Sequence, residues 1–164
     1  MKSSVRYISH AALMAAMYAA LTHLQNILLP GSATWAIQFR VSEALCVFSL
    51  FTPAAIPGLT VGCFLFNLSY AGALPLDIVI GTLATLLSCL GMWHLRKHLW
   101  PALAMPALFN ALLVGWELTV YIGGGFWLNA LYVAIGEAAV LYTLGAILYT
   151  AIKKRKLAGR IFGE

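Results

Sequence analysis

The chain has 164 residues, of which 62% are hydrophobic and only 9% are charged. A soluble domain carries about 25% charged residues, so this composition excludes an ordinary soluble protein. The net charge of +5 comes from ten bases against five acids, but all bases except Arg40 lie at chain ends or in one loop beside apolar runs. We therefore predict an integral membrane protein that does not bind nucleic acid.

Six apolar runs follow one another along the chain, separated by prolines, glycines or charged residues. A helix that crosses a bilayer needs about 20 mostly apolar residues. The predicted spans are 7–29, 40–52, 54–71, 75–93, 99–122 and 126–152. The second run is too short to cross untilted, and we expect local thinning of the bilayer or support from its neighbours. The sequence thus predicts a single domain over residues 1–164, an all-α bundle of six transmembrane helices.

The positions of the bases predict the orientation of this bundle. Nine of them flank the first, fourth, fifth and sixth runs: Lys2, Arg6, Arg96, Lys97, Lys153, Lys154, Arg155, Lys156 and Arg160. With six spans, all nine fall on one side of the membrane and Arg40 alone falls on the other. Cytoplasmic loops carry an excess of Lys and Arg, so both termini are predicted to be cytoplasmic. The first run is too long for a typical cleavable signal peptide.

Polar side chains inside the apolar runs are the main candidates for function. They are four acids, two carboxamides and one base: Glu43, Asp77, Glu117, Glu137, Asn67, Asn110 and Arg40. Ionisable residues within a membrane are costly and mark a functional cavity by default. At about 1.5 Å per residue, Glu117 lies roughly 8 Å and Glu137 roughly 15 Å below the outer surface. No acid falls clearly in the cytoplasmic half, which predicts a cup open to the outside.

Structural roles stay open for several of these side chains. Glu43 is also placed to pair with Arg40 at i,i+3. Asp77 lies at a helix start, where it is also suited to capping. Asn67 and Asn110 are equally able to form hydrogen bonds between helices. A structural role and a binding role are therefore both retained for this subset.

Glu117 and Glu137 are the strongest candidates for a binding role. Glu117 has no base within reach on its own helix, whereas Glu137 follows Gly136, where a close helix contact is also able to shelter it as a protonated acid. Ionised carboxylates only accept hydrogen bonds, so an anionic cup favours a cation or a molecule rich in N–H groups. Trp116, beside Glu117, and Trp35, in the connection after the first run, are placed to stack on a flat ring. Gln38 lies in the same connection. The predicted ligand is a small aromatic heterocycle with amidine-like N–H groups.

Metal, redox and nucleotide sites are not predicted. Three cysteines lack a CxxC pair and are expected to pack as small apolar side chains: Cys46, Cys63 and Cys89. His94 and His98 have a spacing that metal sites use, but the two bases between them favour an interfacial loop. The chain has no G-x-x-x-x-G-K-[ST] loop for ATP phosphates.

Alanines recur every four residues in the first run, in two parallel rows. One row is Ala11, Ala15 and Ala19, and the other is Ala12, Ala16 and Ala20. Small residues at this spacing let another helix approach closely, either from this chain or from a partner. Six spans leave little room for the inverted repeats of most secondary transporters, so uphill transport would draw energy from a partner docked on these rows. Gly58 and Gly62 form a similar pair, for which packing within the chain is favoured.

Five segments carry a family resemblance, and the most specific is the QFRVSE sequence over 38–43. The others are 57–67, 77–85, 109–117 and 126–138. The similarity as a whole covers about residues 7–150. These segments resemble the QueT family, the substrate-binding S components of energy-coupling factor (ECF) transporters that are linked to uptake of queuosine precursors.

The resemblance implies a protein without catalytic activity or a cofactor of its own, in the plasma membrane of a prokaryote. It would capture queuine or a related 7-deazaguanine outside the cell and dock, through one alanine row, on a transmembrane coupling protein that carries two cytoplasmic ATPases. Glu117 would then receive the guanine-like edge, Asn67 or Asn110 would read the carbonyl, and Asp77 or Glu43 would meet an amine. The segment around Trp35 and Gln38, residues 30–40, would form a lid.

Other functions stay open at this point. One is an S component for another cationic heterocyclic vitamin, such as a thiamine- or pyridoxine-like molecule. Another is a small intramembrane enzyme with Glu117 and Glu137 as acid and base, which the absence of a nucleophile–base pair or cofactor motif disfavours. A purely structural subunit is disfavoured by the cost of four embedded acids.

Overall fold

The computed structural model describes residues 3–32, 39–155 and 159, which form a bundle of helices. The elements are α1 (Ser3–Leu28), a 3₁₀ helix (Val41–Leu50), α2 (Ala55–Ser69), α3 (Asp77–His94), α4 (Leu99–Tyr121), α5 (Phe126–Val140), a π-helical turn (Leu141–Gly145) and α6 (Ala146–Lys154). The last three are continuous in the chain. No strand occurs in the described ranges, so the all-α prediction is confirmed.

Four helices of the described chain are long and apolar enough to cross a membrane: Ser4–Leu28, Asp77–His94, Leu99–Tyr121 and the continuous Phe126–Lys154. Two further apolar helices, Val41–Leu50 and Ala55–Ser69, are shorter. Large apolar side chains are exposed along the outside of the bundle, for example Ile27 and Leu131. The chain is therefore a multi-pass membrane protein.

Helices α1 and α2 lie side by side and run in the same direction. An ideal Cβ on Gly58 would lie 2.6 Å from the carbonyl oxygen of Ala11, and one on Gly62 would lie 2.7 Å from that of Ala15. A side chain at either glycine would collide with backbone, so this close approach requires glycine. The internal packing predicted for Gly58 and Gly62 is confirmed, and it uses the row that contains Ala11 and Ala15.

The 3₁₀ helix follows α1 and precedes α2 in the chain, and it runs back through the centre of the bundle. Eight of its ten residues are buried, and it contacts every α-helix of the described chain. A 3₁₀ helix rises about 2.0 Å per residue, against about 1.5 Å in an α-helix. Its ten residues therefore extend about 20 Å instead of about 15 Å. The longer rise of the 3₁₀ helix gives the second apolar run part of the length that an α-helix of ten residues would lack for crossing the membrane.

Helices α4 and α5 form an antiparallel pair joined by a glycine turn. Gly123 and Gly124 have φ angles of 85° and 81°, a left-handed conformation that other residues rarely adopt. Within the pair, an ideal Cβ on Gly115 would lie 2.8 Å from the Cα of Ala130. This contact sets the register of the two helices and thus the relative heights of the polar side chains that they carry.

The helix directions define two ends of the bundle. Helices α1, α2 and α4 end where α3 and α5 begin, and we call this the Asp77 end. The opposite end carries exposed bases, among them Arg96, Lys97, Lys154 and Arg155. The candidate site lies toward the Asp77 end and the bundle centre.

Candidate functional site

A cleft of about 430 Å³ opens at the Asp77 end of the bundle. Its described lining comes from the end of α1, the α2–α3 loop and the ends of α3 and α4: Pro30, Gly31, Tyr70, Gly72, Leu74, Asp77 and Ile122. Asp77 is the only charged side chain in this lining. Small-molecule sites have volumes of about 300–1,000 Å³, so the cleft is large enough for a small organic ligand.

Five buried charged side chains interact below the cleft, and we call them the buried charge cluster: Arg40, Glu43, Asp77, Glu117 and Glu137. The charge of Arg40 acts on Glu43 and Asp77, and it also acts on Glu117 and Glu137. Arg40 is the only buried base in the described part of the chain. The cluster therefore holds four carboxyl groups against one guanidinium, a strongly acidic interior.

The cluster differs from the open cup that the sequence predicts. Only Asp77 reaches the cleft, whereas Glu43, Glu117 and Glu137 are completely buried. Glu43 belongs to the 3₁₀ helix, which contacts every α-helix of the described chain, and Glu117 and Glu137 face the interior from α4 and α5. The candidate site thus has one acid at its mouth and three acids behind it.

Glu43 is satisfied by hydrogen bonds inside the bundle. The Tyr18 hydroxyl donates to Oε1. The Thr85 hydroxyl lies 3.4 Å from the same oxygen and shares its one proton between it and the carbonyl oxygen of Gly81 at 3.1 Å. The Cys46 thiol donates to Oε2 at 3.2 Å. These donors come from α1, α3 and the 3₁₀ helix itself, so Glu43 joins three elements and has a structural role.

Asp77 and Asn67 hold the beginning of α3 against α2. Asp77 Oδ2 accepts the N–H of Leu74, three residues before it, at 2.7 Å. This bond secures the α2–α3 loop and is not an N-cap, because a cap accepts an N–H that follows it in the helix and α3 has no side-chain cap hydrogen bond. Asn67 Nδ2 donates to the carbonyl oxygen of Asp77 at 2.7 Å, the hydrogen bond between helices that its carboxamide allows. An ideal Cβ on Gly81 would lie 2.9 Å from Asn67 Nδ2 and 4.0 Å from Arg40 Nη1. Gly81 therefore leaves room for these two side chains.

Six buried acceptor oxygens on α2, α4 and α5 have no hydrogen-bond partner among the described residues: Asn67 Oδ1, Asn110 Oδ1, both carboxyl oxygens of Glu117 and both of Glu137. Asn110 uses its amide nitrogen within α4, donating to the carbonyl oxygen of Pro106 at 3.0 Å. An unsatisfied buried polar group costs about 1–3 kcal/mol, and a charged one costs more. A ligand that brings N–H donors to these oxygens removes that cost.

Other residues predicted to contact a ligand lie away from this cluster or outside the described ranges. Trp116 is 48% exposed on the surface of the bundle, because neighbouring residues of an α-helix point about 100° apart and Glu117 faces inward. Trp35 and Gln38 lie outside the described residues, as does the middle of the predicted lid, 33–38.

The two alanine rows of α1 have different surroundings. The first row faces α2: Ala15 is buried, and Ala11 and Ala19 are half-buried. The exposed row is Ala12, Ala16 and Ala20. Only the second row lies on the outer surface of the bundle, and a role for either row in docking stays a prediction.

Three polar residues of α1 were not predicted as part of the polar interior: Tyr18, Thr22 and Gln25. Their i, i+4, i+7 spacing is a helical signal that the sequence carries among the alanines, and all three are buried. Gln25 Nε2 donates to Ser32 Oγ at 2.9 Å, and its Oε1 accepts the N–H of Val41 at 2.8 Å. Gln25 therefore holds the start of the 3₁₀ helix against the end of α1.

The cysteines are all free and buried, as predicted for small packing residues. The sulfur atoms of Cys46 and Cys89 lie 3.7 Å apart where the 3₁₀ helix meets α3. Among the residues that the structure describes, no group of three or more His, Cys, Asp or Glu side chains is arranged to hold a metal ion.

Comparison with known proteins identifies the family of this chain. No curated protein and no solved structure matches it. A family model described as QueT transporter matches residues 8–154, which include all of the buried charge cluster and both alanine rows. The match agrees with the resemblance carried by the QFRVSE segment, and it extends over most of the sequence. The chain belongs to the QueT transporter family.

Proposed function

We propose that this protein is the substrate-binding S component of an ECF-type importer for queuosine precursors, meaning queuine or related 7-deazaguanines. Family membership supports transport. The observation that carries the ligand class is the set of buried oxygens on Asn67, Asn110, Glu117 and Glu137 that lack partners in the described chain. A site made of acceptors requires a ligand made of donors, and a 7-deazaguanine has an N1–H and a 2-amino group along one edge.

Glu117 is the residue that we assign to this edge of the ligand. Both of its oxygens are without a partner in the described ranges, and its carboxyl group interacts with that of Asp77, which opens to the cleft. Two parallel N–H donors on one carboxylate form a bidentate pair of hydrogen bonds, an arrangement that adds geometric specificity as well as binding energy. Asn67 uses one amide N–H on the carbonyl oxygen of Asp77 and retains a second for a ligand carbonyl. Asn110, the alternative, lies seven residues from Glu117 along α4, which is about 10 Å deeper.

The Asp77 end faces the cell exterior in this proposal. All six apolar helices then cross the plasma membrane, and both termini lie in the cytoplasm. The bases at the opposite end, among them Arg96, Lys97 and Lys154, satisfy the positive-inside rule in this orientation. The cleft beside Asp77 consequently opens to the side from which a nutrient arrives.

Transport further requires docking on a transmembrane coupling protein with two ATPases, because this chain has no phosphate-binding loop. The exposed row of Ala12, Ala16 and Ala20 supports docking on that face of α1, since small side chains permit close helix contact. Ala16→Trp is expected to abolish uptake while preserving ligand binding. Leu108→Trp, at an exposed position of α4, serves as the control and should preserve both.

Ligand binding by the purified protein in detergent tests the proposed function. The wild type is expected to bind 7-deazaguanines, and mass spectrometry should identify one that copurifies. Glu117→Ala and the isosteric Glu117→Gln should lose binding but keep the elution profile of a folded protein, while Trp116→Phe at the exposed neighbouring position should bind normally.

Three outcomes would contradict parts of this proposal. Undiminished affinity in folded Glu117→Gln would refute the assigned role of that residue. Binding of thiamine- or pyridoxine-like cations in place of deazapurines would assign the S component to another vitamin. Chemical conversion of the bound ligand would instead indicate an intramembrane enzyme.

A further inference from the structure

We propose that a groove along the outer face of α6 binds one anionic phospholipid, with the lipid phosphate at Lys154 and Arg155 and an acyl chain along the helix. This groove, which we call the α6 groove, has a volume of about 630 Å³. Its described lining comes from the π-helical turn, from α6 and from Arg155 directly after α6. The proposal depends on the location of the chain in a membrane and not on the ligand of the cleft beside Asp77.

The length of the last helix places Lys154 and Arg155 at the membrane surface. The continuous helix Phe126–Lys154 has 29 residues, which extend about 43 Å at the rise of an α-helix. A bilayer with its headgroup regions is about 40–45 Å thick. Trp127 is exposed at the start of this helix, as is typical of an aromatic residue at a membrane interface. The helix therefore begins at one surface and ends at the other, at the level of the lipid phosphates.

The length of the α6 groove matches the thickness of one leaflet. The lining residues Tyr142 and Arg155 are 13 residues apart, which is about 20 Å along a helix. One leaflet with its headgroups is about 20–22 Å thick. An acyl chain that runs from the phosphate toward the centre of the bilayer can therefore follow the groove over its whole length.

The middle of the groove suits hydrocarbon better than a polar ligand. The Thr150 hydroxyl donates to the carbonyl oxygen of Ala146 at 2.8 Å, and the Thr143 hydroxyl donates to that of Ala139. Both hydroxyl protons are thus used within the helix, and Ile147 is 66% exposed beside them. A polar molecule would gain few hydrogen bonds here, whereas an acyl chain needs none.

An aromatic pair fixes the end of the groove that is farther from the bases. The Tyr142 hydroxyl donates to the carbonyl oxygen of Trp100 at 3.0 Å. The two rings are also stacked, with their centroids 6.0 Å apart. This pair holds Tyr142 against the start of α4, so the groove is bounded there by a side chain in one fixed position.

The two bases at the other end of the groove require an anion. All four acids of the described chain are buried inside the bundle, so no exposed acid among these residues neutralises Lys154 or Arg155. The neighbouring Lys153 instead donates to the Tyr149 hydroxyl at 3.4 Å and lies 5.5 Å from the centre of that ring. A phosphate suits the other two bases, because a guanidinium binds it through two parallel hydrogen bonds and an ammonium adds a point charge.

An anionic phospholipid is the occupant that matches both parts of the groove. A free phosphate would pair with the bases but leave the apolar length uncovered. A zwitterionic phospholipid would cover that length without bringing a net negative charge. A phospholipid of net negative charge does both, since basic residues at the membrane surface attract anionic headgroups.

Native mass spectrometry of the purified full-length protein in detergent tests this proposal with three probes. They are phosphatidylglycerol, phosphatidylcholine with the same acyl chains, and inorganic phosphate. Phosphatidylglycerol is expected to form a one-to-one complex about 10- to 30-fold tighter than that of phosphatidylcholine, the preference expected of two surface bases. Inorganic phosphate should form no comparable complex, because it lacks the chain that fills the groove.

Two double variants separate the α6 groove from the general positive charge of this end of the bundle. Lys154→Gln with Arg155→Gln should remove the preference for phosphatidylglycerol. Arg96→Gln with Lys97→Gln removes the same charge at the same end but outside the described lining, and it should keep the preference.

A second pair of variants tests the apolar length of the groove without changing its charge. Thr150→Trp should fill the groove and abolish the one-to-one complex with phosphatidylglycerol. Leu144→Trp is the matched control, at an exposed position of the π-helical turn outside the described lining, and it should bind phosphatidylglycerol like the wild type.

Several results would overturn the proposal. Equal affinity of the wild type for phosphatidylglycerol and phosphatidylcholine would do so without requiring any variant to fold. Retention of the preference in the folded Lys154 and Arg155 variant, or its loss in the folded Arg96 and Lys97 variant, would attribute it to the charge of the whole end. Normal lipid binding by Thr150→Trp would leave the groove to another occupant, such as a protein segment. Binding of 7-deazaguanines should be unchanged in all these variants, so a failure of this proposal would leave the proposed function intact.

Discussion

Glu43 and Glu137 are both completely buried, yet their surroundings are opposite. Glu43 accepts hydrogen bonds from Tyr18, Thr85 and Cys46, whereas both oxygens of Glu137 lack a partner within the described chain. The contrast separates two regions of the bundle. Around Glu43, polar groups connect α1, the 3₁₀ helix and α3. On α4 and α5, the side-chain oxygens of Asn110, Glu117 and Glu137 lack partners among the described residues. Hydrogen-bond pairing, rather than burial, distinguishes Glu43 from the carboxyl groups that we propose to bind a ligand.

The largest expected effect is the difference in stability between two single variants, Glu43→Ala and Glu137→Ala. Glu43→Ala and Glu137→Ala remove equal volumes from completely buried positions, so the cavity contributions are similar. Glu43→Ala also leaves the hydroxyl group of Tyr18 and the thiol of Cys46 without the acceptor to which they donate, and we expect it to lower the free energy of unfolding by about 3 kcal/mol more than Glu137→Ala. Thermal unfolding of both variants in the same detergent measures this difference. Equal losses of stability would remove the distinction between the two regions.

A smaller loss is expected where α1 packs against α2. The Cβ of Gly62→Ala would meet the carbonyl oxygen of Ala15 at 2.7 Å, and overpacking of this kind costs about 1–3 kcal/mol. The separation of α1 from α2 would also disturb Tyr18, whose Cβ lies 2.8 Å from the same position. The measurement is again the midpoint of thermal unfolding.

Gly125→Ala is the control for the glycine variant. Gly125 has an ordinary φ of −84°, and no described heavy atom lies within 4 Å of its ideal Cβ. Because Gly125 is the N-cap of α5, where alanine is less favourable than glycine, we expect a loss of stability of less than about 1 kcal/mol. If Gly62→Ala were equally harmless, the close contact of α1 with α2 would not contribute to the stability of the 3₁₀ region.

Neutralising an unsatisfied acid should have a still smaller effect, and in the opposite direction. Glu117→Gln replaces a buried carboxyl group, whose oxygens have no hydrogen-bond partner in the described chain, by a carboxamide of the same shape that is always neutral. We therefore expect the unfolding free energy to stay the same or to rise by about 1 kcal/mol. At the same time the variant should lose the thermal stabilisation that a 7-deazaguanine provides to the wild type. A destabilised variant would indicate that Glu117 supports the fold.

The smallest effect is expected from Cys46→Ser. The serine hydroxyl preserves a donor toward Glu43 Oε2, which the thiol reaches at 3.2 Å, and the volume changes little. We expect a change in unfolding free energy of less than about 1 kcal/mol, within the range of a conservative buried substitution. A loss as large as that of Glu43→Ala would show that the sulfur, near Cys89, has a role beyond donating this hydrogen bond.

The fold was predictable in the features that local sequence controls. Apolar runs become helices in a membrane because every backbone group must be hydrogen-bonded within its own segment, and prolines and glycines end them. Glycines mark two further features because they lack a side chain. The turn requires the positive φ angles of Gly123 and Gly124, and the close approach of α1 to α2 leaves no room for a Cβ at Gly58 or Gly62. The four embedded acids were likewise recognisable, since few other roles justify charge inside an apolar run.

Other features depended on contacts between distant parts of the chain. The second run forms a 3₁₀ helix that contacts every α-helix of the described chain. Its sequence contains no signal for that geometry. Tyr18 and Thr85 approach Glu43 from 25 and 42 residues away. Trp116 points outward although it precedes Glu117, and the exposed alanine row is the one that α2 does not cover.

The amino-acid sequence by itself determined that this is a helical membrane protein with an acidic interior, because hydrophobicity and the cost of buried charge are properties of each residue and its neighbours in the chain. Only the tertiary structure decided which carboxyl groups are satisfied and which are available to a ligand. Hydrogen-bond partners are contributed by other helices, and their direction depends on register and packing. Glu43 and Glu137 are therefore equivalent in the sequence and different in the folded protein.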